Sequence, residues 1–257
     1  MTTQHFAVIA SGRSGSSRLC DILGRHPDIA CHQEIFFVQE VQAYFPKTLG
    51  LKILDTAYRD ADHKAFLDEF LAFGAGWYKN RQWHGFKAIY GNVQFPPSLM
   101  ICRDARIRKI LLHRENLLAS YASDRLGIAT GVWQRIAGKA GEPAPHTVEF
   151  EKEHFQSYCG KRLIRLAACE RAMRESGQDF LRIEYAESLT AEGMRRVWRY
   201  LGVAETAETG VYRRNNRRPL LECFSNPDAA AEAAESLGRP DWLQPELRDA
   251  AADPGDP

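Results

Sequence analysis

Two short constellations carry residue types that hold anions. The first is Ser11-Gly12-Arg13-Ser14-Gly15-Ser16-Ser17, directly after the apolar run at 6–10. Gly12 and Gly15 permit backbone conformations closed to residues with a β-carbon. Ser14, Ser16 and Ser17 add hydroxyl donors, and Arg13 adds a fixed charge on a planar donor fork. Amides of such a loop, and of a helix beginning behind it, would point at a bound anion. The Gly-Lys-Ser/Thr ending of an ATP-binding loop is missing, which argues against a triphosphate kinase. The second constellation is Arg114 at the end of the apolar stretch 107–114, with Ser123 nine residues later. That offset is about two and a half helical turns, so the pair can clamp a second phosphate apart from the first. Taken alone, the first loop reads equally well as an ordinary strand-to-helix turn with a serine cap.

The elements around these residues follow from hydrophobic spacing. Residues 6–10 predict a buried, parallel strand, and Leu19, Ile22 and Leu23 predict a helix from Ser16 that ends in 24–27. A short strand is expected over 29–31, a helix over 61–73, and strands over 84–91, 107–114 and 178–185. Helices are expected behind the last two, with a long one over 151–174. Strands alternating with helices predict an α/β fold, a parallel central sheet flanked by helices on both faces. Ligands of such sheets bind at the carboxyl ends of the strands, where both constellations lie. One domain over 1–240 is expected, with 141–145 as a surface loop and 241–257 as a flexible tail.

Composition excludes several classes. The chain has 257 residues, with 34 Lys and Arg against 33 Asp and Glu, a net charge of +1. No global attraction to nucleic acid or membrane follows, so any anion site must be local. The six cysteines form no C-x-x-C pair, and no histidine cluster stands at zinc spacing. They read as reduced, semi-buried thiols, and no metal is called for. No leader pattern and no long apolar run is seen, so a cytoplasmic protein without a transmembrane segment is expected.

In order, these motifs resemble the sulfotransferases that use 3′-phosphoadenosine-5′-phosphosulfate (PAPS). The family's [K/R]-S-G-[S/T]-[S/T] loop is matched by Arg13-Ser14-Gly15-Ser16-Ser17. Its strand-end arginine and helix serine are matched by Arg114 and Ser123, in the form R-E-N-x-L-x-x-Y-x-S. That form is similar to the bacterial carbohydrate type, the trehalose- and lipopolysaccharide-directed enzymes. So are Gln33-Glu34-Ile35-Phe36, Gly85-Phe86-Lys87 and Thr130-Gly131-Val132-Trp133. The resemblance covers about 6–226.

The resemblance implies a P-loop-like sulfotransferase fold. It implies that Arg13, Ser14, Gly15, Ser16 and Ser17 hold the 5′-phosphosulfate and that Arg114 and Ser123 hold the 3′-phosphate. It places Glu34 beside the acceptor hydroxyl as base. His32 and His113 are fallback bases by residue type alone, and a lone histidine beside a strand is more often structural. Arg13 would stabilise charge on the leaving phosphate, so no metal is needed. Tyr185 resembles a strand-end tyrosine near the nucleotide, though its motif has one extra residue, and it reads equally well as a half-buried strand-end tyrosine. The basic segment 211–220 resembles a late loop over the nucleotide, in which Arg214 and Arg217 are the selected contacts. It lacks the G-x-x-G-x-W form of the animal enzymes, so detailed contacts do not transfer. Lys87 and Trp133 are candidates to line an acceptor pocket, with Trp133 equally readable as core. The acceptor would be a small molecule or glycan. A homodimer is open from the family, and no interface signal is present. A small-molecule P-loop kinase and a non-catalytic polyanion-binding module are the competing readings.

Overall fold

The computed structural model describes residues 3–91, 94–136, 146–207, 210–213 and 218–246. Its centre is a sheet of five strands, β1 (Gln4–Ala10), β2 (Ile29–Glu34), β3 (Trp83–Ile89), β4 (Ile107–His113) and β6 (Phe180–Glu184). A two-stranded antiparallel ribbon joins β5 (Arg135–Ile136) to β7 (Tyr212–Arg213). The main sheet runs β2-β3-β1-β4-β6, and every neighbouring pair is parallel. The helices are α1 (Ser16–Arg25), α2 (Thr56–Ala61), α3 (His63–Trp77), α4 (Phe95–Arg103), α5 (Leu117–Thr130), α6 (Lys152–Glu175), α7 (Ala191–Leu201) and α8 (Pro227–Ser236).

A parallel strand is covered on both faces, which explains the unbroken apolar run of β1. Ala7 and Ile9 pack with Phe66, Phe70, Ile101 and Met173, from α3, α4 and α6. Phe6, Val8 and Ala10 pack with Leu19 and Leu23 of α1 and with Val197 and Trp198 of α7. Each fully buried Val, Leu, Ile, Phe or Met among them contributes about 1.5–3 kcal/mol. Gly85 is required by this packing, because a Cβ there would lie 2.2 Å from the Phe6 ring. A third cluster beside the sheet joins Tyr121, Phe150, Phe155, Phe224, Ala230 and Trp242.

The predicted α/β architecture with its parallel sheet stands. Several features differ from the sequence reading. β2 runs on to Glu34, with an irregularity in its pairing between Cys31 and Glu34. α4 forms where Pro96-Pro97 discourages a helix prediction, because proline is tolerated in the first turn. The chain also stays packed beyond 241: Trp242 is buried, its carbonyl accepts from Asn116, and Glu246 pairs with Arg114. The expected tail beyond that point, 247–257, and the expected loop at 141–145 lie outside the described residues. All six cysteines are buried, and none forms a disulfide. Among the described residues no helix is long and apolar enough to cross a membrane.

Candidate functional site

Strand order reverses around β1, whose two neighbours lead outward in opposite directions. The crevice at the carboxyl ends of β1 and β4 is therefore where a ligand is expected. The loop 11–15 leaves β1 there and enters α1, and Arg114 leaves β4 beside it.

The loop's conformation is fixed from outside. Arg13 holds φ +63° and Gly15 φ +80°; Arg13 is the one non-glycine at positive φ among the described residues. For a residue with a β-carbon that region costs roughly 1–2 kcal/mol, so the surroundings must enforce it. They do so through three consecutive carbonyls. The Ser14 hydroxyl donates to the Ser11 carbonyl at 2.8 Å. Arg162 of α6 donates from Nη1 to the Gly12 carbonyl at 2.7 Å, and Arg114 donates from Nη1 to the Arg13 carbonyl at 2.9 Å. In a trans peptide the N–H points opposite to the carbonyl. Each bond therefore turns the following amide away from its donor. Gly15 is additionally needed because the Tyr185 ring would lie 2.6 Å from a Cβ placed there.

Three guanidinium groups meet at this loop. Arg13 donates from Nε and Nη2 to the Ser123 hydroxyl at 2.9 and 2.8 Å, and from Nη1 to the Trp133 carbonyl at 2.5 Å. Arg162 stacks on Tyr158, 4.1 Å from the ring centroid, and Tyr158 bonds the Ser120 hydroxyl at 2.9 Å. Arg114 lies over the Tyr185 ring at 4.5 Å. Burial lowers the Arg13 pKa; Asp124 pulls it up, and Arg114 and Arg162 push it down. Concentrated buried charge of one sign is costly unless anions offset it. Part of that offset is internal, since Glu246 accepts from Arg114 Nε at 2.7 Å and Nη2 at 2.5 Å. Burial alone would lower the Arg114 pKa, but the hydrogen bonds and charge of Glu246 outweigh it and raise it.

A second polar group flanks α1. Lys87 is 2% exposed, and its ammonium lies 3.0 Å from Glu34 Oε1 while donating to the Ser17 hydroxyl at 2.9 Å. Gln94 donates to Glu34 Oε2 at 3.1 Å, and Gln134 donates to the Ser17 hydroxyl at 3.1 Å. A carboxylate is thus connected to the first turn of α1 through one lysine.

The sequence-selected residues fall as follows. Arg13, Ser14, Gly15, Ser16 and Ser17 form the β1–α1 turn, and Arg114 and Ser123 both contact Arg13. Arg114 and Ser123 do not grip a common point. Ser123 receives Arg13, whereas Arg114 spans from the Arg13 carbonyl to Glu246. Tyr185 is buried between Gly15 and Arg114, so its ring works as a wall. Lys87 is bound to Glu34 and Ser17 and is nearly inaccessible, so it does not line an open pocket. Trp133 is 47% exposed and belongs to no core cluster; its ring packs on Gly127 with Arg13 5.7 Å from the ring centroid. The fallback bases are committed elsewhere. His32 is sealed against His84 at 3.1 Å and accepts from the Tyr44 amide, while His113 Nδ1 lies 2.9 Å from the Ile183 carbonyl. Arg214 and Arg217 lie outside the described residues.

Sequence reading missed Arg162, Gln94, Gln134 and Glu246. Arg162 sits in a helix read for its apolar face, 150 residues from the carbonyl it holds. No spacing rule relates such positions.

No family model matches the chain, and no curated protein matches it significantly in sequence. Among solved structures it is similar to a sulfotransferase from Alicyclobacillus acidocaldarius. That likeness has a TM-score of 0.49 and 15% identity over 95% of this chain and 96% of the other. It is also similar to the sulfotransferase domain from the curacin biosynthetic pathway, with a TM-score of 0.45 and 14% identity over 80% of this chain and 77% of that one.

Proposed function

We propose that the chain is a PAPS-dependent sulfotransferase acting on a hydroxyl of a carbohydrate or glycoconjugate. The observation that carries this reading is the convergence of Arg13, Arg114 and Arg162 on one strand-to-helix turn whose carbonyls are tied back. The ordered motifs that resemble the carbohydrate sulfotransferases supply the identity of the anion. The loop amides and Arg13 would receive the 5′-phosphosulfate, and Arg114 the 3′-phosphate. Arg214 and Arg217 remain the selected residues of the late basic loop.

The acceptor oxygen attacks sulfur in line. A bond forms between that oxygen and sulfur, and the bond from sulfur to the bridging phosphate oxygen breaks. Its electron pair stays on the 5′-phosphate of adenosine 3′,5′-bisphosphate. By analogy with phosphoryl transfer, positioning and charge stabilisation dominate such a step. Arg13 and the loop amides would meet the charge that grows on the leaving oxygen. Glu34 would take the acceptor proton. Lys87, held between Glu34 and Ser17, ties that base to the anion loop and keeps the two at a fixed separation. The phosphate leaves as a stable anion, so the step requires no metal.

The test is transfer of labelled sulfuryl from PAPS to a panel of sugars and glycoconjugates, with a chelator present throughout. Transfer in chelator supports the reading. A requirement for ATP and magnesium would favour the kinase, and salt-sensitive binding of polyanions without nucleotide preference would favour the binding module. Glu34→Gln should lower turnover about 100-fold while the bisphosphate binds as before; unchanged turnover would remove Glu34 as base.

A further inference from the structure

The segment behind α8 returns to the head of α5. Asn116 caps that helix by accepting from the Ala119 amide, and its Nδ2 donates to the Trp242 carbonyl at 2.8 Å. Trp242 is buried in the third cluster, so this anchor is firm. Four residues further on, after Pro245, Glu246 closes on Arg114 through two parallel hydrogen bonds. Only 9% of the Arg114 side chain and 8% of the Glu246 side chain are exposed. Paired forks of this kind are the arrangement guanidinium groups also offer to phosphate.

We propose that Glu246 is a built-in competitor for the anion that Arg114 binds, an autoinhibitory carboxylate that the nucleotide's 3′-phosphate must displace. This rests on the reading of Arg114 as the 3′-phosphate ligand. With the carboxylate seated, two of the guanidinium's nitrogens are occupied and a third holds the Arg13 carbonyl. A 3′-phosphate reaches Nε and Nη2 only when Glu246 leaves. The Arg13 bond need not break, so the loop stays set while the fork is exchanged. Trp242 stays anchored while Glu246 moves, so the rearrangement lies beyond Trp242. Affinity for the nucleotide is then reduced by the fraction of molecules in which the carboxylate is seated.

Calorimetry on the full chain, wild type, Glu246→Gln and Glu246→Ala, tests this with two probes, adenosine 3′,5′-bisphosphate and adenosine 5′-monophosphate. Both variants should bind the bisphosphate about tenfold tighter than wild type or better, with monophosphate affinity unchanged. Thermal melts give a second readout. The variants should melt lower than wild type without ligand, since a buried guanidinium loses its partner, and gain more on adding bisphosphate. Equal or weaker bisphosphate binding by both variants overturns the proposal. If all three proteins bind the two probes alike, the underlying role of Arg114 fails, and the competitor role fails with it.

Discussion

At the scale of single residues, the loop 11–15 works because other side chains hold its carbonyls. Arg162 is the clearest case, since its bond to the Gly12 carbonyl comes from α6. On the proposed reading of the loop as the 5′-phosphate cradle, Arg162→Met should weaken adenosine 3′,5′-bisphosphate about tenfold and leave adenosine 3′-monophosphate unchanged. Arg162→Lys, which keeps a donor, should restore part of the loss. Equal weakening of both ligands in calorimetry would mean general damage instead. Gly15 makes a second test. An added methyl meets both φ +80° and the Tyr185 ring at 2.6 Å. Gly15→Ala should therefore destabilise the fold by roughly 1–3 kcal/mol. A denaturant midpoint unchanged from wild type would contradict that account of the turn.

Elements differ in how much of themselves the sequence discloses. β1 and β4 were readable because a strand buried on both faces must be apolar throughout, as 6–10 and 110–112 are. α1 was readable from Leu19, Ile22 and Leu23 and from the turn residues before it. α4 was hidden by its two prolines, and the alanine-rich α8 by its lack of large apolar side chains to mark a buried face. The same division holds at the site. Arg13, Arg114 and Ser123 lie at fixed offsets from strand ends, so spacing finds them. Arg162 and Glu246 arrive by packing of α6 and of the segment after α8, which no local pattern encodes. Asn116 shows how one element supports another. It caps α5 and also holds Trp242, so Asn116→Ala should cost about 1–2 kcal/mol. It should also speed amide exchange in 240–246. Exchange unchanged there would separate the cap from the anchoring role.

For the whole molecule, two buried histidines make the fold sensitive to acid. His32 and His84 face each other between β2, β3 and α3, ringed by Phe45, Phe70 and Tyr78. Burial lowers the pKa of both, that of His32 to about 3. Their rings stay neutral in the fold, while an unfolded chain takes up protons near the ordinary value of 6.5. The unfolded state thus binds more protons as pH falls below 6.5, and stability is lost through that window, for His32 down to about 3. The loss should approach about 1.4 kcal/mol per pH unit for each histidine. Denaturant unfolding between pH 7 and pH 5 measures it; a flat profile would contradict neutral burial of the pair.

In the proposed function, the chain grips both ends of a 3′-phosphorylated adenosine nucleotide, with Arg114 at the 3′ end. The most direct measurement is calorimetric titration of wild type and Arg114→Ala with adenosine 3′,5′-bisphosphate and with adenosine 5′-monophosphate. Wild type should prefer the bisphosphate at least about tenfold, roughly 1.4 kcal/mol. Arg114→Ala should erase that preference and keep the affinity for the monophosphate. Wild type binding both nucleotides alike, or Arg114→Ala retaining the full preference, would contradict the account.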